Sequence, residues 1–462
     1  MLQSLVFNED LIRRYDKSGP RYTSYPTAPH FKSCFTVAEY RDAALATNNQ
    51  TPPVPLSLYF HIPFCDTLCF YCACNKVVTK NRTRAVPYLE HLHKEIALQA
   101  ALFDRDRMVD QLHWGGGTPT FLSHDEMRAL MGVTREHFRL YDDDSGEYSI
   151  EVDPREADAA TLAVLREIGF NRLSLGVQDF DPRVQKAVNR IQPEEITLGV
   201  LAEARRLGFR SVSVDLIYGL PLQTLESFTL TIDKIIAANP DRLSVFNYAH
   251  LPRQFMPQQR IKEEELPSPA EKLEILKMCS ERLTAAGYVY IGMDHFAKPE
   301  DELAVAQRNG TLYRNFQGYS THSDCDLVAM GISAISKVGN TYSQNVKTLE
   351  EYYAALDADM LPILRGIELK ADDLLRREII TQLICNFQLD MAAVAERFAI
   401  DFPSHFEAEL KELRNIAADG LISIDGDLIK VQPAGRLLIR NVCMVFDRYL
   451  RDSQHQSFSK VI

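Results

Sequence analysis

Between about residue 56 and residue 300, short β-branched runs recur, separated by stretches with helical periodicity. The runs 56–61, 111–114, 148–152, 172–177, 211–217 and 242–248 have the length and composition of strands, with 289–293 as a further candidate. Segments 159–168, 193–207 and 225–238 carry apolar residues at i, i+3, i+4 and i+7, the pattern of a surface helix. Strands and helices in alternation imply parallel strands joined by right-handed crossovers. About six such units predict an α/β fold, an open or incomplete parallel (β/α) barrel.

Active sites of parallel barrels form where loops converge at the C-terminal ends of the strands. Here those ends carry His61, then Gly115-Gly116-Gly117-Thr118-Pro119, then Glu151, Gln178, Asp215 and Ala249-His250. Helix capping or an ordinary turn accounts for any one of them. Their convergence on one rim marks a candidate site.

The flanks differ from this middle. Residues 11–30 concentrate Arg, Tyr and Pro, which disfavours a regular helix past Ser18. This arm is either surface packing or a lid whose Arg13, Arg14, Lys17, Arg21 and Tyr22 meet an anionic substrate. From about residue 360 the pattern changes to closely spaced helices at 372–386, 391–398 and 405–419, then a hairpin over 421–431 that turns at Asp425-Gly426. The expected organisation is an arm over 1–40, a catalytic barrel over 41–360 and a mainly helical, winged-helix-like domain over 361–462. The segment placed as a recognition helix, from Ser404 to Leu413, is acid-rich where phosphates demand bases, so it reads as lid or scaffold.

Composition narrows the function further. The formal charge is 51 minus 63, or −12, which argues against nucleic acid or an anionic membrane as the main partner. No run of eighteen or more apolar residues occurs, and the N-terminus lacks a charged start followed by an apolar stretch. A cytoplasmic small-molecule enzyme, acting as a monomer, is expected.

The strongest chemical signal is Cys65-Asp-Thr-Leu-Cys69-Phe-Tyr-Cys72-Ala-Cys74. Three thiolates spaced C-x3-C-x2-C can hold three irons of a [4Fe–4S] cube and leave the fourth open. Structural zinc is the alternative, although zinc sites usually split their ligands into two distant pairs. The other five of nine cysteines are scattered singly and outline no disulfide framework. This spacing, with aromatic Tyr71 just before the third cysteine, resembles the radical S-adenosylmethionine enzymes.

Over nearly its whole length the chain resembles the oxygen-independent coproporphyrinogen III oxidases. The matches are Ser18-Gly-Pro-Arg-Tyr-Thr-Ser-Tyr-Pro-Thr27, His61-Ile-Pro-Phe-Cys65 with its cysteines, Leu112-His-Trp-Gly-Gly-Gly-Thr-Pro119, Glu151-Val-Asp-Pro and Gly176-Val-Gln-Asp-Phe180. Further on come Asp215-Leu-Ile-Tyr-Gly-Leu-Pro221, Ser244-Val-Phe-Asn-Tyr-Ala-His-Leu251 and Met330-Gly-Ile-Ser-Ala-Ile335. The resemblance implies that Cys65, Cys69 and Cys72 bind the cluster. It implies a first S-adenosylmethionine against Tyr59, Gly116, Glu151 and Ile335, and a second lined by Tyr71, Gly117, Thr118, Gln178, Arg190, Asp215 and Ala249. Cys74 is expected to lie near the cofactors without ligating iron.

The implied reaction converts two propionates of coproporphyrinogen III to vinyl groups through a 5′-deoxyadenosyl radical, giving protoporphyrinogen IX in haem biosynthesis. An electron donor such as flavodoxin or ferredoxin is implied as partner. Two other readings share the motifs: a haem chaperone, which typically lacks the arm and a counterpart of Cys74, and a porphyrin-modifying radical methyltransferase.

Overall fold

The computed structural model describes residues 5–322 and 325–452, so the outermost residues of the expected arm and of the expected C-terminal domain lie outside it. The chain divides into two compact units. One holds Phe31–Pro267 and Asp324–Glu368; the other gathers the segment ending at His30, Ser268–Ser323 and the segment from Leu369 onward. Residues 268–323 therefore group with the two termini, a division that is not colinear with the expected spans.

The first unit is built on one twisted sheet. Its parallel strands are β1 (Leu56–Ile62), β2 (Met108–Gly116), β3 (Glu147–Val152), β4 (Arg172–Gln178), β5 (Ser211–Tyr218), β6 (Arg242–Asn247) and β7 (Asp326–Met330). Antiparallel strands β8 (Ile335–Val338), β9 (Thr341–Asn345) and β10 (Ile363–Glu368) continue it. Within this unit the order is β6-β5-β4-β3-β2-β1-β7-β8-β9-β10, an open path rather than a closed ring. Helices α1 (Ala85–Ala100), α2 (His124–His137), α3 (Ala159–Glu167), α4 (Glu194–Arg206) and α5 (Leu225–Ala238) fall between successive strands, the last three where the periodicity predicts them. Capping boxes at Ser123/Glu126 and Thr224/Ser227 fix where α2 and α5 begin.

Strand alternation separates two faces. Leu58, Phe60, Leu112, Trp114, Ile150, Leu173, Leu175, Val212, Val214, Leu243 and Val245 are all buried and form the core. Trp114 meets Phe60 and Phe170 edge-on at 6.3 and 4.9 Å, contacts worth about 1 kcal/mol each beyond their area. The alternate positions are polar: Tyr59 pairs with His113 and His113 with Ser149, Glu151 with Ser174, and Asp215 with Gly176 and Ser244. A period of two thus puts the chemistry on one face and the core on the other.

One strand expectation needs correction. Residues 289–293 do not add a parallel strand; Val289–Gly292 folds back antiparallel on His295–Ala297. Positive φ at Gly292 (142°) and Met293 (55°) supplies the tight reversal, and this hairpin belongs to the second unit.

In that second unit, helices Ala371–Asn386, Met391–Phe398 and Glu407–Ala418 precede the hairpin Ile422–Asp425/Leu428–Val431, onto which Gln388–Asp390 adds a third strand. The arm is fastened here. Tyr22 Oη donates to Asp447 at 2.9 Å, Arg440 donates to the carbonyls of Pro20 and Gly19, and the Arg448 N–H donates to Tyr25 Oη at 3.1 Å.

Candidate active site

The cysteine loop grows out of β1. Phe64–Cys65 pairs in parallel with Val77–Val78, and the N–H groups of Gly117 and Thr118 donate to the carbonyls of Ile62 (2.8 Å) and Phe64 (2.7 Å). These bonds draw the loop after β2 against the base of the cysteine loop. The fit leaves no room for side chains. A Cβ at Gly117 would lie 2.6 Å from the Pro63 backbone, and one at Gly116, where φ is +111°, 2.6 Å from the His61 ring.

The thiols sit in distinct surroundings. Thr118 Oγ1 lies 3.6 Å from Cys65 Sγ, and burial pushes the Cys65 thiol up to about 11. Cys69 Sγ faces guanidinium nitrogens of Arg190 at 3.6 Å and Arg155 at 3.9 Å. Cys72 hydrogen-bonds to the Cys74 thiol, which draws Cys72 below its ordinary value against its burial, while Lys76 Nζ reaches both backbone carbonyls at 3.3 Å. Cys74 is exposed, and its hydrogen bond with Cys72 pushes its thiol well above the ordinary value.

Glu151 closes the rim. Its carboxylate accepts from the Gly116 N–H at 3.0 Å and faces His113 Nε2 at 3.4 Å, while His113 Nδ1 meets Ser149 Oγ at 2.6 Å. Burial alone would raise its pKa, but His113, the Gly116 amide and His61 together hold it below the ordinary value. Tyr59 stacks on His113 (5.9 Å, 14°) and hydrogen-bonds His61 Nδ1 at 3.1 Å. Asp215 accepts from Ser174 Oγ at 3.1 Å; burial pushes it up to about 6, opposed by Ser244 and reinforced by the charge of Glu151.

With this geometry in place, known proteins can be compared. Residues 59–235 match the Radical SAM superfamily and residues 369–438 the HemN C-terminal domain. Oxygen-independent coproporphyrinogen III oxidases of Pseudomonas aeruginosa and Escherichia coli are 54% and 51% identical over 462 residues, 100% of both chains in each case. The solved coproporphyrinogen III oxidase of Escherichia coli, a radical SAM enzyme, superposes with a TM-score of 0.92 at 50% identity, covering 97% of this chain and 100% of that one. The chain belongs to the oxygen-independent coproporphyrinogen III oxidases.

Membership in this oxidase family brings a [4Fe–4S] cluster and S-adenosylmethionine, and the residues present fit both. Three thiols share one loop, and the glycine backbone beside them is bare of side chains. Gln178, held at φ +69°, has a buried Oε1 without a hydrogen-bond partner among the described residues, an acceptor open to a donor from a bound cofactor. Arg190 is more engaged than the sequence suggested: its Nη atoms bind Asp153 (2.8 Å) and the Gly176 carbonyl (2.6 Å), leaving Nε without a partner among the described residues. Tyr71 packs against Val184, Val188, Leu220, Tyr248 and Ile261, and its carbonyl accepts from Gln258 at 3.0 Å. Ala249 is exposed just after β6, and half-buried Ile335 opens β8.

The remaining expectations concern the arm. There Arg13 pairs with Glu9, Arg14 with Asp419 and Arg21 with Asp294, while Tyr22 is buried on Asp447. Each is thus engaged within its own unit. Sequence reasoning missed His113 and Ser149, although both share the strand alternation of Tyr59 and Glu151. It also missed Glu95, a fully buried acid on α1 that accepts from Gly331 N (2.8 Å), Asn345 Nδ2 (2.7 Å) and Tyr352 Oη (2.6 Å). Glu95 and Tyr88, which bonds both the His61 carbonyl and the Ile332 N–H, fix the turn leading to Ile335. A glutamate on a helix carries no sequence mark of burial.

Proposed function

We propose that this protein carries out the oxygen-independent oxidative decarboxylation of coproporphyrinogen III, turning two propionates into vinyl groups and yielding protoporphyrinogen IX. The observation that carries the proposal is the meeting of the three-cysteine loop, the bare glycines 116 and 117 and the ionised Glu151 at one rim, in a chain about half identical to named oxidases along its full length. When bound, the cluster and S-adenosylmethionine would supply a 5′-deoxyadenosyl radical able to abstract a hydrogen from the β-carbon of a propionate, and the substrate radical would become the vinyl group by losing carbon dioxide and passing one electron to a one-electron acceptor.

This chain's own part is to bind, orient and shield. Cys65, Cys69 and Cys72 would hold the cluster. Gly116 would let a cofactor approach the backbone, and Glu151 would accept hydrogen bonds from its ribose, with Tyr59 and Ile335 packing beside it. Thr118, Tyr71, Gly117, Gln178, Arg190, Asp215 and Ala249 would line a second S-adenosylmethionine. Arg190 and Asp153 are already paired, so in this role Arg190 acts through Nε. Cys74 would assist product formation beside the cluster without ligating it.

We assign the redox chemistry to the barrel segment 41–360 and substrate handling to the terminal segments 1–40 and 361–462. A one-electron donor of the flavodoxin or ferredoxin type would reduce the cluster, the enzyme working as a cytoplasmic monomer. Among the described residues no helix is long and apolar enough to cross a membrane. The test is anaerobic incubation of reconstituted protein with coproporphyrinogen III, reductant and S-adenosylmethionine. Divinyl product after air oxidation supports the proposal; recovery of bound but unchanged tetrapyrrole would indicate a chaperone.

A further inference from the structure

The ribbon that follows the cysteine loop carries charge of one sign. Residues 76–87 contain Lys76, Lys80, Arg82 and Arg84 and no carboxylate, in a chain whose formal charge is −12. Arg82 is turned inward: it pairs with Asp66 of the cysteine loop at 2.5 Å and with Glu156 at 2.9 Å, its guanidinium 4.2 Å from the Phe121 ring centroid. Lys76 Nζ donates to the carbonyls of Cys72 and Cys74. Lys80 and Arg84 are exposed, and neither has a carboxylate partner among the described residues.

The same ribbon lies against the first cysteine. Cys65 pairs in parallel with Val78, and the Thr79 N–H donates to the Cys65 carbonyl at 2.9 Å. Partners across a ladder stand about 4.8 Å apart and point to one face. Here that face is the open one, since Cys65 is half-buried and Val78 is 41% exposed, whereas Phe64, pointing the other way, is fully buried. Lys76 shares the alternation of Val78. The turn beyond is held in place by Asn81, whose side chain caps Arg82–Arg84, and by Arg82 on Asp66. An exposed apolar side chain with cations on either side of it in the chain therefore stands beside a thiol of the cluster loop. An apolar centre with a charged rim is the make-up of a protein-docking surface, and the sign of the rim selects the partner.

We propose that ribbon 76–84 is the docking surface for an acidic one-electron carrier protein, with Val78 at its centre and Lys80 and Arg84 on its rim. The proposal rests on the redox function proposed above and adds where the electron donor sits. Docked there, the carrier would be oxidised by one electron and the centre held by Cys65, Cys69 and Cys72 reduced by one, with no atom transferred. The chain's negative charge argues against a nucleic acid or an anionic membrane as the occupant, and it repels an acidic carrier from the rest of the surface.

The test uses reconstituted full-length protein, wild type and the variants Val78→Glu, Lys80→Glu and Arg84→Glu, with a flavodoxin as the probe. Arg105→Glu is the control, an exposed site that precedes β2 at the end of the sheet opposite the cysteine loop. Affinity is measured by calorimetric titration at low and high salt, and reduction by reduced flavodoxin or by dithionite is followed as bleaching of the iron–sulfur absorbance. Each ribbon variant should bind flavodoxin roughly threefold to tenfold more weakly at low salt, with iron content retained and reduction by dithionite unchanged. The difference between the two charge variants and wild type should shrink at high salt, and Arg105→Glu should bind as wild type does. Absence of salt-sensitive binding by wild type, equal affinity in wild type and ribbon variants, or an equal loss in Arg105→Glu would overturn the docking surface. Slowed reduction by dithionite as well as by flavodoxin would make the ribbon a support of the cluster and also overturn it. The expected binding pattern in a wild type that forms no vinyl product would overturn the proposed reaction and leave the docking surface standing.

Discussion

Glu151 receives the backbone N–H of Gly116 at 3.0 Å, so the end of β3 is tied through one carboxylate to the glycine loop after β2. Because His113 and this amide hold the acid ionised, its role is to accept hydrogen bonds as an anion. Glu151→Gln keeps the shape but loses the charge. It should retain the cluster absorbance and lower 5′-deoxyadenosine formation by roughly tenfold to hundredfold, the worth of a charge-assisted hydrogen bond. Unchanged cofactor cleavage would remove Glu151 from the cofactor site.

The cysteines should separate into two classes. Cys65→Ser, Cys69→Ser and Cys72→Ser should each abolish the [4Fe–4S] absorbance after anaerobic reconstitution. Cys74→Ser should keep stoichiometric iron and lose vinyl formation. Loss of the cluster in that variant would make Cys74 a ligand or support, and normal turnover a bystander.

Two glycines predict opposite outcomes for the same substitution. Gly117→Ala forces a Cβ to 2.6 Å from the Pro63 backbone and should prevent cluster loading, as measured by iron content. Gly132→Ala, on α2 with nothing within 4 Å, should leave loading unchanged and stabilise the protein by about 0.5–1 kcal/mol in thermal or urea unfolding. Equal loading in both variants would refute the tight fit between the two loops.

Strands β3 to β6 were legible because each alternates polar and apolar residues between clear breakers: 172–177 was expected and Arg172–Gln178 found. β7 was not, because all of Asp326–Met330 is buried and its partner β1 lies far back in the sequence. Candidate site residues stood out in the sequence when they carried unusual chemistry at or just after a strand end, as with the cysteines, Glu151 and Asp215. His113 stayed hidden inside a motif whose glycines drew attention. Glu95 looks like a surface residue in the sequence, since its burial depends on segments brought together only by the fold.

Glu95 gives a pH-dependent test of that hidden layer. Burial pushes its pKa up from 4.5 to about 7, against three hydrogen bonds that favour the anion. The folded state therefore holds this proton more tightly than the unfolded chain. The contribution is fully present below about pH 4.5 and is lost as pH rises to about 7, by roughly 3 kcal/mol. Stability of wild type relative to Glu95→Gln, from urea unfolding of apoprotein, should fall across that interval. A pH-independent difference would show that Glu95 does not titrate as its burial requires.

The central claim is that this chain oxidatively decarboxylates a tetrapyrrole with a cofactor-derived radical. Its most direct test is carbon dioxide released from coproporphyrinogen III labelled in the propionate carboxyls, under anaerobic conditions. The account predicts two carbon dioxide molecules per divinyl product, with release abolished when S-adenosylmethionine or reductant is withheld and in Cys65→Ser. Release that persists without S-adenosylmethionine, or no release by cluster-replete protein, would contradict it.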